Sequence, residues 1–151
     1  MGAEGGSEQA YEPDMLSDGP FKGWYTWSGG SDPFESSIGP FCFRDEADGR
    51  VRAAFMPRES HLNGGGAIHG GCLMSFADFS LFAIARRALG NSNAVTVTFN
   101  SEFISAGAPH IMVEAGGEVL RATKSLLFVR GLIRQEDRTL LAFSGTLKKI
   151  A

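Results

Sequence analysis

Hydrophobic positions along this chain fall into two rhythms. Over residues 69–89 they are nearly continuous, with no face left polar. That is how a helix reads when it is buried on all sides, as in the concavity of a sheet. Gly90 and Asn91 stop the run. After it the period drops to two. Over 94–104, Val95, Val97, Phe99 and Phe103 fall on one face and Thr96, Thr98, Asn100 and Glu102 on the other. This alternation predicts a strand. Strand signals follow over 111–120, where Gly116-Gly117 is expected to mark a bulge or bend. Two more, 124–134 and 139–149, flank Gln135-Glu136-Asp137-Arg138 as a hairpin. Ahead of the helix, 39–44 and 50–56 read as strands joined through Asp48-Gly49, and a loop covers 57–66. Two strands, a long apolar helix and four strands predict an α+β domain. Its antiparallel sheet, of five to six strands, wraps around one helix.

The N-terminal part is different. Residues 1–20, rich in Gly, Glu, Ser and Pro, are expected as a disordered tail. Residues 21–37 carry Trp24, Tyr25, Trp27 and Phe34, too apolar for a free linker. They are expected to pack on a domain spanning 38–151. At 151 residues the chain is long enough for one real core. A net charge of −3 gives it no footing on phosphate backbones, so nucleic acid is not an expected partner. The apolar run 72–85 is too short to span a bilayer and contains Asp78. The opening residues lack the basic and apolar regions of a signal peptide. Cys42 and Cys72 make no disulfide framework. These features point to a cytoplasmic protein with no membrane partner.

Asp78 is the one carboxylate between His69 and Arg86. Burying it unpaired costs several kcal/mol, and Asp is a poor helix former. It lies too deep in the helix to be a cap. Two readings stand. Asp78 is structural, bonding a backbone group or meeting water at a subunit seam, or it is a base or nucleophile with a raised pKa. At the helix start, residues 64–71 run Gly-Gly-Gly-Ala-Ile-His-Gly-Gly. Free amides there suit a phosphate or a developing oxyanion, and glycine lets a ligand approach the backbone. The alternative is a plain loop with a tight helix entry. Within one helix, Gly70 and Asp78 lie about 12 Å apart and about 80° apart in direction, so they cannot reach one reacting atom. A site using both needs Gly70 from one subunit and Asp78 from another, hence a symmetric dimer with two such sites.

Asn63, His69-Gly70-Gly71 and then Asp78 nine residues past the histidine, with the strand Ala94-Val95-Thr96-Val97-Thr98-Phe99-Asn100 after them, carry a resemblance. The chain resembles the PaaI-like hotdog acyl-CoA thioesterases of the 4-hydroxybenzoyl-CoA thioesterase superfamily, over residues 38–149. The resemblance implies a homodimer or homotetramer with the active site at the subunit interface. It implies aryl- or fatty-acyl-CoA as substrate and no cofactor beyond the CoA that the substrate carries. It places the Gly70 amide on the thioester carbonyl, with Gly71 beside it, and gives His69 an orienting role. Asn63 positions water or the carboxylate. Asp78 of the partner subunit acts as base or nucleophile. Thr96 stands where some relatives have a water-contacting serine. Phe82, with Phe76, Phe79 and Phe99, is expected to shape the acyl pocket. Arg121, Lys124, Arg86 and Arg87 are candidates for CoA phosphates.

Two other functions compete. An acyl-thioester dehydratase or hydratase of the same fold would use a His with an acid, but the Asp-x-Asn-Pro-x-His string is absent. A non-catalytic acyl-CoA-binding module leaves Asp78 without a purpose. No Gly-x-Ser-x-Gly elbow is present, and His61, His69, His110 and the cysteines have no metal-ligand spacing.

Overall fold

The computed structural model describes residues 11–29 and 32–150. In chain order the elements are β1 (Asp14–Met15), β2 (Tyr25–Thr26), helix α1 (Pro33–Ile38), β3 (Cys42–Asp45) and β4 (Val51–Phe55). Then come helix α2 (Gly70–Leu89), β5 (Asn93–Phe103), β6 (Val113–Ala122), β7 (Leu126–Gln135) and β8 (Arg138–Ile150). The sheet runs β1-β2-β3-β4-β6-β7-β8-β5, with every pairing antiparallel. It curls around α2, which touches β4, β5, β6, β7 and β8. Among the described residues no helix is long and apolar enough to cross a membrane.

The sheet has eight strands, not the expected five or six. β3 to β8 are the six that the alternation predicts, each within three residues of its expected bounds. The other two come from the N-terminal segment. Tyr25 pairs with Phe43, and Met15 then pairs with Tyr25. Residues 1–10 of the expected tail lie outside the described residues. From Tyr11 onward the chain is held: its carbonyl accepts from Trp27 Nε1 at 3.1 Å, and Leu16 N–H donates to Trp24 O at 2.8 Å. Aromatic side chains drive this. Phe21 and Trp24 pack on Cys42 and Ala54, while Trp27 stacks on Phe43 and meets the edge of Phe79 on α2.

α2 begins at Gly70, with His69 as its N-cap, and ends on Gly90 at φ 58°. Phe76, Phe79 and Leu81 are wholly or almost wholly buried. Each contributes about 1.5–3 kcal/mol by leaving water. Phe76 meets Phe41 and Phe55, which seats the helix on β3 and β4.

Two strand expectations are corrected. Gly116-Gly117 is not a bulge: both residues keep regular register with Leu132 and Gly131, and the irregularity falls between Val119 and Arg121. Gly117 is needed for close approach, since a Cβ there would sit 2.1 Å from Arg130 O. In β5, Val95 and Val97 do not share a face with Phe99; they are 43% and 49% exposed, while Phe99 packs on the core. The register shifts between Thr96 and Thr98. A bulge reverses the phase of the side chains beyond it. Thr96 therefore turns to α2, and three residues later Phe99 still packs on the core.

Candidate active site

Asp78 lies midway along α2, half-buried, among side chains that pack into the core. Its Oδ1 accepts a hydrogen bond from Thr96 Oγ1 at 2.7 Å. This bond exists because of the β5 bulge, which turns a hydroxyl rather than a valine toward the helix. Asp78, Thr96 and Phe82 line an open cleft of about 1030 Å³, together with Trp27, Glu35 and Arg86. Burial raises the Asp78 pKa, the Thr96 bond pulls it partly back, and Asp32 pushes it up again. The result is an oriented carboxylate that holds its charge reluctantly, as a base in a recessed site should.

Sequence reasoning missed Glu35. α1 starts at Asp32, whose side chain accepts the Glu35 N–H at 2.9 Å, with Pro33 in the first turn. His61 ties down the far end: its Nδ1 accepts from Arg58 N–H, and its Nε2 donates to Ile38 O. Burial, then Asp32, then Asp78 push the Glu35 carboxyl up to about 8. The signal was present, because Asp-Pro-x-Glu is a helix-start signature.

The other end of the site is made of backbone. The His69 Nδ1 accepts the Gly71 N–H at 2.8 Å, so a neutral ring carries its proton on Nε2. Gly71, expected to contact substrate, thus spends its amide on His69. Gly70 N–H is a first-turn amide with no intrahelical acceptor. Phe103 covers Gly70 closely, since a Cβ there would lie 3.1 Å from the ring. Asn63 organises the glycine loop: its Oδ1 accepts from Gly65 N–H at 2.9 Å and Ala67 N–H at 3.1 Å, which turns Nδ2 outward.

The structure brings Asp78, Thr96 and Phe82 together, and separately Asn63, His69, Gly70 and Gly71. Arg121 and Lys124 join neither group; both are exposed at the β6–β7 turn and line no described cleft. Arg86 and Arg87 do line the cleft, but both pair with Asp45, at 2.8 and 3.5 Å. Among the described residues no three His, Cys, Asp or Glu side chains come together to hold a metal.

A model of the family described as the thioesterase superfamily matches residues 65–142. A Pseudomonas aeruginosa protein whose name reads "Putative esterase" is 28% identical over 116 residues, covering 76% of this chain and 87% of its own. The phenylacetic acid degradation protein PaaI of Thermus thermophilus, solved as a mutant, is 27% identical with a TM-score of 0.67. That match covers 79% of this chain and all of PaaI (100%). A Bacillus halodurans protein solved with CoA has a TM-score of 0.70 at 18% identity, with 80% of each chain covered.

Proposed function

The chain belongs to the thioesterase superfamily and has the hotdog fold of its PaaI-like members, and from that premise we propose that it hydrolyses acyl-CoA thioesters to free acid and CoA. The observation that carries this reading is the Thr96–Asp78 bond at 2.7 Å in a cleft wide enough for an acyl group. Asp78 takes a proton from water as the water oxygen attacks the carbonyl carbon, or attacks that carbon itself. The Gly70 amide, with the dipole of α2 behind it, meets the negative charge that develops on the carbonyl oxygen. His69 donates from Nε2 beside it. The fold accommodates coenzyme A in the Bacillus halodurans structure. Phe82, Trp27 and Leu89 give the acyl end an apolar wall.

Both halves belong to one reaction only if a second copy is present. Asp78 is bonded to Thr96 near the start of β5, and Gly70 sits against Phe103 at its end. β5 is the last strand of the sheet, and its outer edge has no partner among the described strands. Antiparallel pairing of two β5 edges about a two-fold axis sets the Thr96 end of one against the Phe103 end of the other. Phe103, exposed here on the α2 side of that edge, is covered in such a dimer.

The test is release of free thiol from a panel of aryl- and fatty-acyl-CoAs, beside Asp78→Asn. Turnover by the wild type and a loss of about 10²–10⁴-fold in a variant that still dimerises support the reading. Tight acyl-CoA binding with no thiol released would replace it with a binding module. Enoyl or hydroxyacyl thioester as product would replace it with a dehydratase or hydratase.

A further inference from the structure

Glu35 is a half-buried carboxyl that the chemistry above leaves without a task. Its backbone is well tied: N–H to Asp32 Oδ1 at 2.9 Å, and its carbonyl to Ser28 Oγ at 3.3 Å. Its side chain is not. Oε2 is shielded from solvent and has no hydrogen-bond partner among the described residues. An unmatched buried polar atom costs about 1–3 kcal/mol, so a free carboxylate oxygen in this place needs a reason. The cleft it lines is the one that holds Asp78. The groups facing it are few. Asp32 stands on its own helix. α2 brings Asp78, Arg86 and Arg87, and the N-terminal segment brings Tyr11 and Glu12. Both arginines pair with Asp45 through Nη2, and Arg86 Nε has no hydrogen-bond partner among the described residues. β5 adds only Asn93, Ala94, Val95 and Thr96 to the lining.

Burial first, then Asp32 and Asp78, lets the carboxyl keep its proton to about 8. Asp78, bonded by a hydroxyl, is the one better able to carry charge. Two carboxyls in one cleft, one bonded by a hydroxyl and one with an unpartnered oxygen, are arranged as a base and an acid. Glu35 lies outside the matched segment 65–142, so the family match does not assign it a role.

We propose that Glu35 is the acid of the reaction in which Asp78 is the base, donating its proton to the sulfur of the departing thiol. The assignment rests on the thioester hydrolysis proposed above. In the water route, Asp78 takes a proton from water as the water oxygen bonds to the carbonyl carbon. The carbon–sulfur bond breaks and its electron pair stays on sulfur. The Glu35 proton passes to that sulfur, giving free thiol and a Glu35 carboxylate. The proton held by Asp78 then returns to Glu35, and both groups are restored. Net, thioester and water become acid and thiol. An alkyl thiol titrates near 8.5, so an acid that titrates near 8 is well matched to it.

The experiment compares two substrates with one acyl group: the acyl-CoA and the S-phenyl thioester, whose more acidic thiol leaves without help. In the wild type, kcat/KM for acyl-CoA should fall as pH rises through about 8, and the phenyl thioester should show no such limb. Glu35→Gln should lose about 100-fold on acyl-CoA and less than about threefold on the phenyl thioester. Equal losses on both substrates, no loss on acyl-CoA, or the same alkaline limb on both would overturn the assignment. If Glu35→Gln does not fold, the two wild-type profiles decide. A wild type that releases thiol from neither substrate removes the hydrolase reading and the acid with it. A wild type active on both, with equal losses in the variant, removes the acid alone.

Discussion

The two ends of the α2–β5 unit do opposite kinds of work. At the His69–Gly70 end the chemistry is backbone: an open first-turn amide, a histidine fixed by Gly71 and a loop braced by Asn63. Nothing there depends on a perturbed side-chain titration. At the Asp78–Thr96 end the chemistry is side chain: carboxyls of Asp78 and Glu35 in a cleft, each with its pKa raised first of all by burial. One end offers the partial positive charge of backbone amides. The other offers protons. Hydrolysis of a thioester needs both, yet eight residues of helix hold them about 12 Å apart. On the proposed chemistry, a single chain is half of each site.

The strongest way to break this comparison is to disable each end in a separate chain. Asp78→Asn should lose about 10²–10⁴-fold. Gly70→Pro should lose about 10²–10³-fold by removing one donor to the oxyanion. The proline suits the backbone, because it opens the helix and His69 before it is extended at φ −61° and ψ 135°, while the Phe103 ring, 3.1 Å from a Cβ there, must give by a few tenths of an ångström. Refolded together in equal amounts, the two variants should regain about a quarter of wild-type activity. Half of the dimers are mixed, and each of those has one intact site of two. No recovery, with mixed dimers shown to form, would place both ends in one chain or remove one of them from the reaction.

The backbone end was the more legible in the sequence. Glycines before a helix and a histidine at its cap announce themselves by composition and position. The six main strands were also legible, because alternation is a local signal. What was not legible is non-local. The β5 bulge, set by pairing with β8, decides that Thr96 rather than Val95 or Val97 meets the helix. Thr96 stood among the site candidates, and the bulge sets its hydroxyl 2.7 Å from Asp78. Gly117 was read as a bulge because its true cause, the carbonyl of Arg130 on the neighbouring strand, cannot be seen from β6 alone. Glu35 was missed because nothing local links α1 to Asp78. Only the packing of Trp27 against Phe43 and Phe79 brings that segment over the cleft.

A smaller effect sharpens the side-chain end. Thr96→Val keeps the shape and removes the hydroxyl that bonds Asp78 at 2.7 Å. A hydrogen bond to a charged group is worth about 1.5–3 kcal/mol, so kcat should fall by about 10- to 100-fold. The bond lowers the Asp78 pKa. Its loss should move the acid limb of the kcat/KM profile to higher pH, because the base then takes up its proton sooner. An unmoved acid limb would detach Thr96 from Asp78 in solution.

The smallest effect is on stability, and it separates the two ends without any substrate. Glu35 titrates near 4.5 in its ordinary state and about 8 in the fold. Between those values the folded chain binds the extra proton, so stability falls as pH rises. The contribution is fully present below about 4.5 and lost as pH passes through about 8. Asp78 adds a decline of the same sign above its own ordinary value. Melting temperature followed from pH 5 to 9 should therefore decline in the wild type. Glu35→Gln, which keeps a neutral side chain throughout, should decline less and stand above the wild type at pH 9. Gly70→Pro leaves both carboxyls in place and should keep the wild-type decline across the range. A Glu35→Gln curve parallel to the wild type would show that this carboxyl titrates in the fold as it does in the open chain, and the acid–base division between the two ends would go with it.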